Sequence, residues 1–339
     1  MSSGVLPPPE VVASILIWHQ GALGDLLLAG PALAAVRRHY PRAHLTGLGH
    51  PERWGLLSPT LSLAAVWDSG EAGWAHLFVD APLPGWLLEC LAPFQLALIF
   101  SPRPHPYLLS RLRQAGIAQV HWVPSFPESG AESVAMVQAR HLAALGLKYQ
   151  PQLFRLILGN GGGAEELLTL PGAGPWVAVA PGSGHPLKNW PLSHYYEVTR
   201  ALAWEFKARV VWLVGPAEAA WLPYLEPLTA VQNQLLLSHL SLRQVAAVLN
   251  RCRLYLGGDS GLSHLAGAVG TPMVLALFGP TDPRIWAPPG DRVKILRAPC
   301  PQAPCARGRE IICAAPQCLK ELSPAEVVKA AAALLQECV

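Results

Sequence analysis

Four short segments of this 339-residue chain carry the residue types that phosphate recognition and proton transfer require. In Pro181-Gly-Ser-Gly-His-Pro-Leu-Lys188-Asn-Trp-Pro191, Ser183 and Gly184 offer hydroxyl and N–H donors to phosphate oxygens, and Lys188 offers a positive charge. It is not a Walker loop, because the lysine lies too far from the last glycine and no helix starts directly behind it. In Gly257-Gly-Asp259-Ser260-Gly261-Leu262-Ser-His264, an apolar strand meets a helix whose N-terminal N–H groups and dipole attract an anion. Asp259 there would orient the loop or its ligand, and His264 is either part of the same site or a packed, hydrogen-bonded histidine. Gly215-Pro-Ala-Glu218 holds a carboxylate that either takes a pair of ribose hydroxyls or caps its own helix. In Gly21-Ala-Leu-Gly24-Asp25, Gly24 lets the backbone come close to a ligand, and Asp25 is either a base at the mouth of the turn or a cap. No Asp-x-Asp pair occurs in the sequence, so Lys188 and the helix terminus at Gly261 are expected to balance anionic charge without a metal ion.

The elements that must position these loops alternate. A continuous apolar run over residues 15–18 reads as a parallel strand buried on both faces. A tight turn over residues 21–25 follows, then a helix opened by Gly30-Pro31 and running to about Tyr40. Strands are expected over 44–48 and 96–100, and helices over 108–115 and 132–145. Gly159-Asn-Gly-Gly-Gly163 and the glycine- and proline-rich stretch up to Pro175 read as a linker. The alternation then restarts, with strands over 176–180, 210–214, 253–256 and 273–277 and helices over 193–206, 241–250 and from Gly261. Ser323-Pro324-Ala-Glu326 combines a capping box with an N1 proline and opens a last helix. The pattern predicts an α/β protein of two Rossmann-like domains whose parallel sheets face across a cleft. Residues 1–160 would form the first domain, 161–175 the linker, 176–322 the second, and 323–339 a terminal helix that could pack back on the first.

Composition narrows the function classes. With 51% hydrophobic and 14% charged residues the chain must form packed cores, which excludes long disorder. The net charge of +3 divides as 10 basic and 9 acidic residues up to position 160 and 15 and 13 after it, so neither half has the excess of a nucleic-acid binder. The apolar stretch from Gly21 to Val36 contains Asp25 and Pro31, which excludes a membrane span of about 20 uninterrupted residues. The opening Met-Ser-Ser-Gly-Val-Leu-Pro-Pro-Pro lacks the basic and apolar regions of a secretion signal, so a cytoplasmic location with thiol cysteines is expected. Cys300, Cys305, Cys313 and Cys318 lie close together but match no compact zinc spacing, and read as thiols in an irregular loop.

Taken together, Gly21 to Asp25, Pro181-Gly-Ser183 with Lys188-Asn-Trp-Pro191, Gly215 to Glu218, Asp259 to His264 and Leu277-Phe-Gly-Pro-Thr-Asp282 form an ordered set. It resembles the ADP-heptose:lipopolysaccharide heptosyltransferases, glycosyltransferase family nine. The resemblance spans nearly the whole chain. It implies a GT-B fold, an ADP-sugar donor, a lipopolysaccharide core or similar glycan acceptor, and inverting transfer. It also implies that Asp25 is the general base and that Ser183 and Lys188 grip the diphosphate. Glu218 would take the ribose, and Asp259 to His264 would surround the phosphates and donor sugar.

Departures fall on the acceptor side, where His19-Gln20 replaces an arginine found in many members and Ser101-Pro-Arg103-Pro-His-Pro106 replaces a Gly- and Ser-containing loop. Arg103, with His105, Arg111 and Arg113, would bind a phosphorylated sugar or headgroup, though a solvated helix face accounts equally for the later two. Arg37, Arg38 and Arg42 either touch an anionic membrane surface, giving peripheral contact with the inner membrane, or end a helix favourably. The alternatives are a nucleotide-sugar epimerase of GT-B architecture and a non-catalytic nucleotide-sugar-binding homologue.

Overall fold

The computed structural model describes residues 4–128, 130, 132–159, 174–229, 233–270, 272–307, 310–313 and 317–337. The chain forms two compact units, Met1–Ile157 and Leu158–Val339. Most of the expected linker, residues 161–173, lies outside the described residues.

The first unit is built on five parallel strands, β1 (Ser14–His19), β2 (His44–Gly49), β3 (Leu63–Asp68), β4 (Leu96–Ser101) and β5 (Gln119–Pro124), in the order β3-β2-β1-β4-β5. Ile15, Leu16 and Ile17 are completely buried, as a central strand with both faces covered demands. Its helices are α1 (Leu23–Leu28), α2 (Gly30–His39), α3 (Pro51–Leu61), α4 (Gly85–Leu91), α5 (Pro106–Gln114) and α6 (Val134–Ala144). The chain becomes helical earlier than its glycines suggest. Gly24 and Asp25 sit in the first turn of α1, because the Asp25 carboxylate accepts the Ala22 N–H at 3.0 Å and satisfies a donor that a helix start leaves open. At the other end, Arg37 donates to the carbonyls of Tyr40 and Ala43 and closes α2, so its guanidinium serves the helix terminus.

The second unit has six parallel strands, β6 (Trp176–Ala180), β7 (Arg209–Val214), β8 (Gln234–Ser238), β9 (Leu254–Gly258), β10 (Met273–Phe278) and β11 (Val293–Arg297), in the order β11-β10-β9-β6-β7-β8. With them come α7 (Leu192–Phe206), α8 (Leu222–Thr229), α9 (Leu242–Leu249), α10 (Gly261–Val269) and the short α11 (Pro283–Trp286). The cysteine-bearing stretch is more ordered than expected. It holds an antiparallel hairpin, β12 (Ala306–Arg307) and β13 (Glu310–Ile311), then α12 (Cys318–Glu321). The final helix α13 (Pro324–Gln336), for which a return to the first domain was one expectation, packs on α7, β9 and β10. Val327, Ala331, Leu334 and Leu335 lie in the core of the second unit. Among the described residues no helix is long and apolar enough to cross a membrane.

Candidate functional site

Strand order decides where loops can converge. In each sheet chain progression reverses once, between β1 and β4 in the first unit and between β6 and β9 in the second. Loops leaving the carboxyl ends of such neighbouring strands diverge and leave room for a ligand. The loop after β6 carries Ser183, Gly184 and Lys188, and the loop after β9 carries Asp259 and Ser260.

These two loops are joined by charge. Lys188 Nζ lies 3.0 Å from Asp259 Oδ2, which also accepts a 2.8 Å hydrogen bond from Thr281 Oγ1 on the loop after β10. His264 Nε2 stands 3.9 Å from Asp259 Oδ1. Asp259 is 6% exposed, and burial by itself would raise its pKa. The His264 imidazole, the Lys188 charge and the Thr281 hydroxyl outweigh that and hold the carboxyl at about 2. The result is a buried carboxylate, ionised at neutral pH, that fixes Lys188.

The lysine's backbone is anchored as firmly. Pro186–Lys188 forms one turn of 3-10 helix, and Lys188 N donates to His185 O at 2.9 Å. Two residues on, Trp190 is buried, donates through Nε1 to Leu322 O at 3.0 Å and meets Tyr195 edge-on. Ser183 Oγ lies 2.7 Å from Asn189 Oδ1 and 2.8 Å from His185 O, so this hydroxyl braces its own loop. Gly184 is exposed, with open space where a side chain would stand.

Ser260 caps α10, its Oγ accepting the Ser263 N–H at 3.4 Å. Gly261 and Leu262 follow in the first turn, half-buried, and His264 is buried with no hydrogen-bond partner for Nδ1 among the described residues. Glu218 takes the capping geometry, its Oε2 accepting the Gly215 N–H at 2.8 Å. The same carboxylate presses on the preceding loop, since a Cβ built on Gly182 would lie 1.9 Å from Glu218 Oε1. With Glu218 in this position a side chain at 182 would overlap it, and the β6 and β7 loops touch there.

In the first unit Asp25 is half-buried beside the turn that leaves β1. Gly21 N donates to His19 Nδ1 at 3.2 Å, and Arg53 Nη1 on α3 donates to Gly21 O at 2.9 Å. A Cβ on Gly21 would meet His19 Cε1 at 2.6 Å and Asp25 Oδ2 at 2.9 Å. Gly24 is buried inside α1. Arg103 is exposed on the loop after β4, where its carbonyl accepts a 2.7 Å bond from Ser101 Oγ. Arg111 does not belong with it. This side chain is buried, and its guanidinium donates to Ala81 O, to His76 O at 3.2 Å and to Gln114 Oε1 at 3.1 Å. The sequence reading gave no role to Thr281 or Arg53. Thr281 lies in the Leu277 to Asp282 motif but carries no charge, and Arg53 reaches Gly21 only because β2 lies beside β1.

Two units built on parallel α/β sheets, the second with the Lys188–Asp259 pair at its reversal of strand order, define the class of fold. Residues 132–313 match the model of glycosyltransferase family 9 (heptosyltransferase), and the chain belongs to that family. Lipooligosaccharide heptosyltransferase 2 of Haemophilus influenzae is 30% identical over 145 residues, 39% of this chain and 39% of its own length. The chain thus matches about two fifths of that relative. Solved structures extend the likeness in fold to the whole chain. A glycosyl transferase family 9 structure from Veillonella parvula has a TM-score of 0.77 at 18% identity, covering 98% of this chain and 99% of that one. The E. coli heptosyltransferase WaaC with ADP has a TM-score of 0.66 at 19% identity, covering 95% and 99%. The fold class is α/β of the GT-B type.

Proposed function

We propose that this protein is an inverting, metal-independent glycosyltransferase that moves a heptose or related sugar from an ADP-sugar to a hydroxyl of a lipopolysaccharide core or similar glycan. The observation that carries the reading is Lys188, a cation fixed by a buried carboxylate at the β6/β9 reversal, beside the α10 N-terminus. Family membership and the ADP named with the E. coli relative support the choice of donor.

In this reading Lys188 and the N–H groups of the first α10 turn receive the diphosphate. Their contribution grows as the anomeric C–O bond breaks and negative charge collects on the leaving group, because they are already oriented. Glu218 takes the ribose through the oxygen its cap leaves available, and Asp259, Ser260, Leu262 and His264 form the wall around the phosphates and sugar. The acceptor oxygen attacks the anomeric carbon from the face opposite the diphosphate and inverts that centre. Its proton passes to Asp25, whose carboxylate can accept a proton late in a dissociative step. Gly24 and Arg103 belong to the acceptor side. The reading carries with it a cytoplasmic location and peripheral contact with the inner membrane, where a lipid-anchored acceptor is reached.

Thermal melts with ADP, UDP and GDP test the donor. ADP at a hundred times its dissociation constant is expected to stabilise the protein by about 2.7 kcal/mol. Stabilisation by UDP alone would sink the heptosyl reading and favour the epimerase-like one. Incubation with ADP-heptose and lipopolysaccharide core extracts in excess chelator, followed by mass measurement, tests transfer. Product is expected without added metal.

A further inference from the structure

The hairpin β12–β13 takes no part in the site, yet it is bonded to it. Cys305 N and Ala306 N donate to Pro280 O at 2.9 and 3.0 Å, and the next residue, Thr281, holds Asp259. Pairing of Ala306 with Ile311 and of Arg307 with Glu310, followed by Ile312 N donating to Cys305 O at 3.3 Å, sets Ile312 opposite Cys305, with Cys313 the next residue along the returning strand. The Cys313 thiol acts on the Cys305 thiol, and both residues are half-buried. Cys300 packs against the core of the second unit, and the Cys318 sulfur lies 3.0 Å from the point a Cβ on Gly279 would occupy. All four are free thiols. Among the described residues no group of three or more His, Cys, Asp or Glu side chains is arranged to hold a metal ion.

We propose that Cys305 and Cys313 are a redox-active dithiol that closes to a reversible disulfide across the hairpin whose first strand is bonded to Pro280. The oxidant is a small-molecule disulfide of the glutathione class. Burial and the neighbouring thiols of Cys313, Cys318 and Cys300 push the Cys305 thiol up, so first attack falls to Cys313. Its thiolate attacks one sulfur of the oxidant and expels the other as a thiolate, leaving a mixed disulfide. Cys305, deprotonated in turn, attacks the Cys313 sulfur and expels the second small thiolate. Two protein thiols become one disulfide, the oxidant is reduced to two thiols, and the two protein protons end on the expelled thiolates. Cys318 and Cys300 are left as the near neighbours that must not compete.

The experiment equilibrates the full-length protein, without nucleotide, in reduced and oxidised glutathione mixtures, alkylates remaining thiols and maps peptides by mass. The expected product links the Cys305 and Cys313 peptides with loss of two hydrogens, and dithiothreitol reverses it. Oxidation is expected to raise the melting temperature by a few degrees in the wild type and in Cys90→Ser, but not in Cys305→Ser or Cys313→Ser. Separate alkylation of Cys305 and Cys313 at every redox ratio, a bridge between Cys300 and Cys318 instead, or a stoichiometric metal on these thiols in the isolated protein would each overturn the proposal. None of these readouts depends on the donor, so they fail or succeed independently of the transferase reading.

Discussion

Lys188 and Asp259 are 71 residues apart in sequence and 3.0 Å apart in space. Each belongs to a loop that looks ordinary alone. Replacing Asp259 with Ala would leave Lys188 without its counter-charge and Thr281 without its acceptor. Removing one member of a buried, hydrogen-bonded pair costs about 3 kcal/mol, and denaturant unfolding should record a loss of that order. ADP affinity should fall with it, because the lysine is no longer held in place. A variant that keeps both stability and ADP binding would detach this pair from the donor site.

The same carboxylate makes stability depend on pH. Asp259 is held at about 2 in the folded protein, against an unfolded value near 4. A depressed folded pKa means that the contribution is fully present above about pH 4 and disappears as pH falls towards 2. The shift corresponds to a contribution on the order of 2 kcal/mol. In Asp259→Asn the acid limb of the stability curve should flatten across that window, and an unchanged limb would assign acid sensitivity to other carboxylates.

Much of this was legible because central strands announce themselves. Ile15 to Trp18 and Trp176 to Ala180 are unbroken apolar runs, and both are interior strands buried on two faces. The parallel strands that the sequence pattern does not announce, β3, β5, β8 and β11, are the edges of the two large sheets. An edge strand needs less apolar surface, and Gln119-Val-His-Trp-Val-Pro124, with its polar residues and closing proline, has no reason to read as a strand. The site residues were visible as loop chemistry, but their pairing was not. The Lys188 to Asp259 contact follows from β6 lying beside β9, a property of strand order that neither loop encodes. Arg111 misled for the opposite reason. Its spacing from Arg113 suggests a solvated helix face, whereas the carbonyls of His76 and Ala81, some thirty residues earlier, draw it inside.

Gly182→Ala tests the joint between the β6 and β7 loops. The new methyl group would overlap the Glu218 carboxylate, which is itself fixed by the Gly215 N–H. Overpacking of this kind costs about 1–3 kcal/mol. The variant should lose both thermal stability and ADP affinity, and Glu218→Ala in the same background should restore the stability by removing the clash while leaving binding weak. Recovery of full ADP affinity in the double variant would show that Glu218 caps the loop and does nothing more.

Substitution can separate the base role proposed for Asp25 from its capping role. Its carboxylate accepts the Ala22 N–H, a bond that an asparagine carbonyl oxygen reproduces. Asp25→Asn should therefore fold with stability within about 0.5 kcal/mol of wild type and bind ADP unchanged, because the groups proposed to hold the donor belong to the second unit. An amide cannot take up a proton at neutral pH, so transfer should fall by the 10²–10⁴-fold that a general base typically contributes. Asp25→Ala should lose transfer to the same extent and about 1 kcal/mol of stability besides, the usual cost of a missing cap. Equal, modest losses of activity that track stability in the two variants would reduce Asp25 to a capping residue. Turnover like wild type in Asp25→Asn would require the acceptor proton to leave by another group.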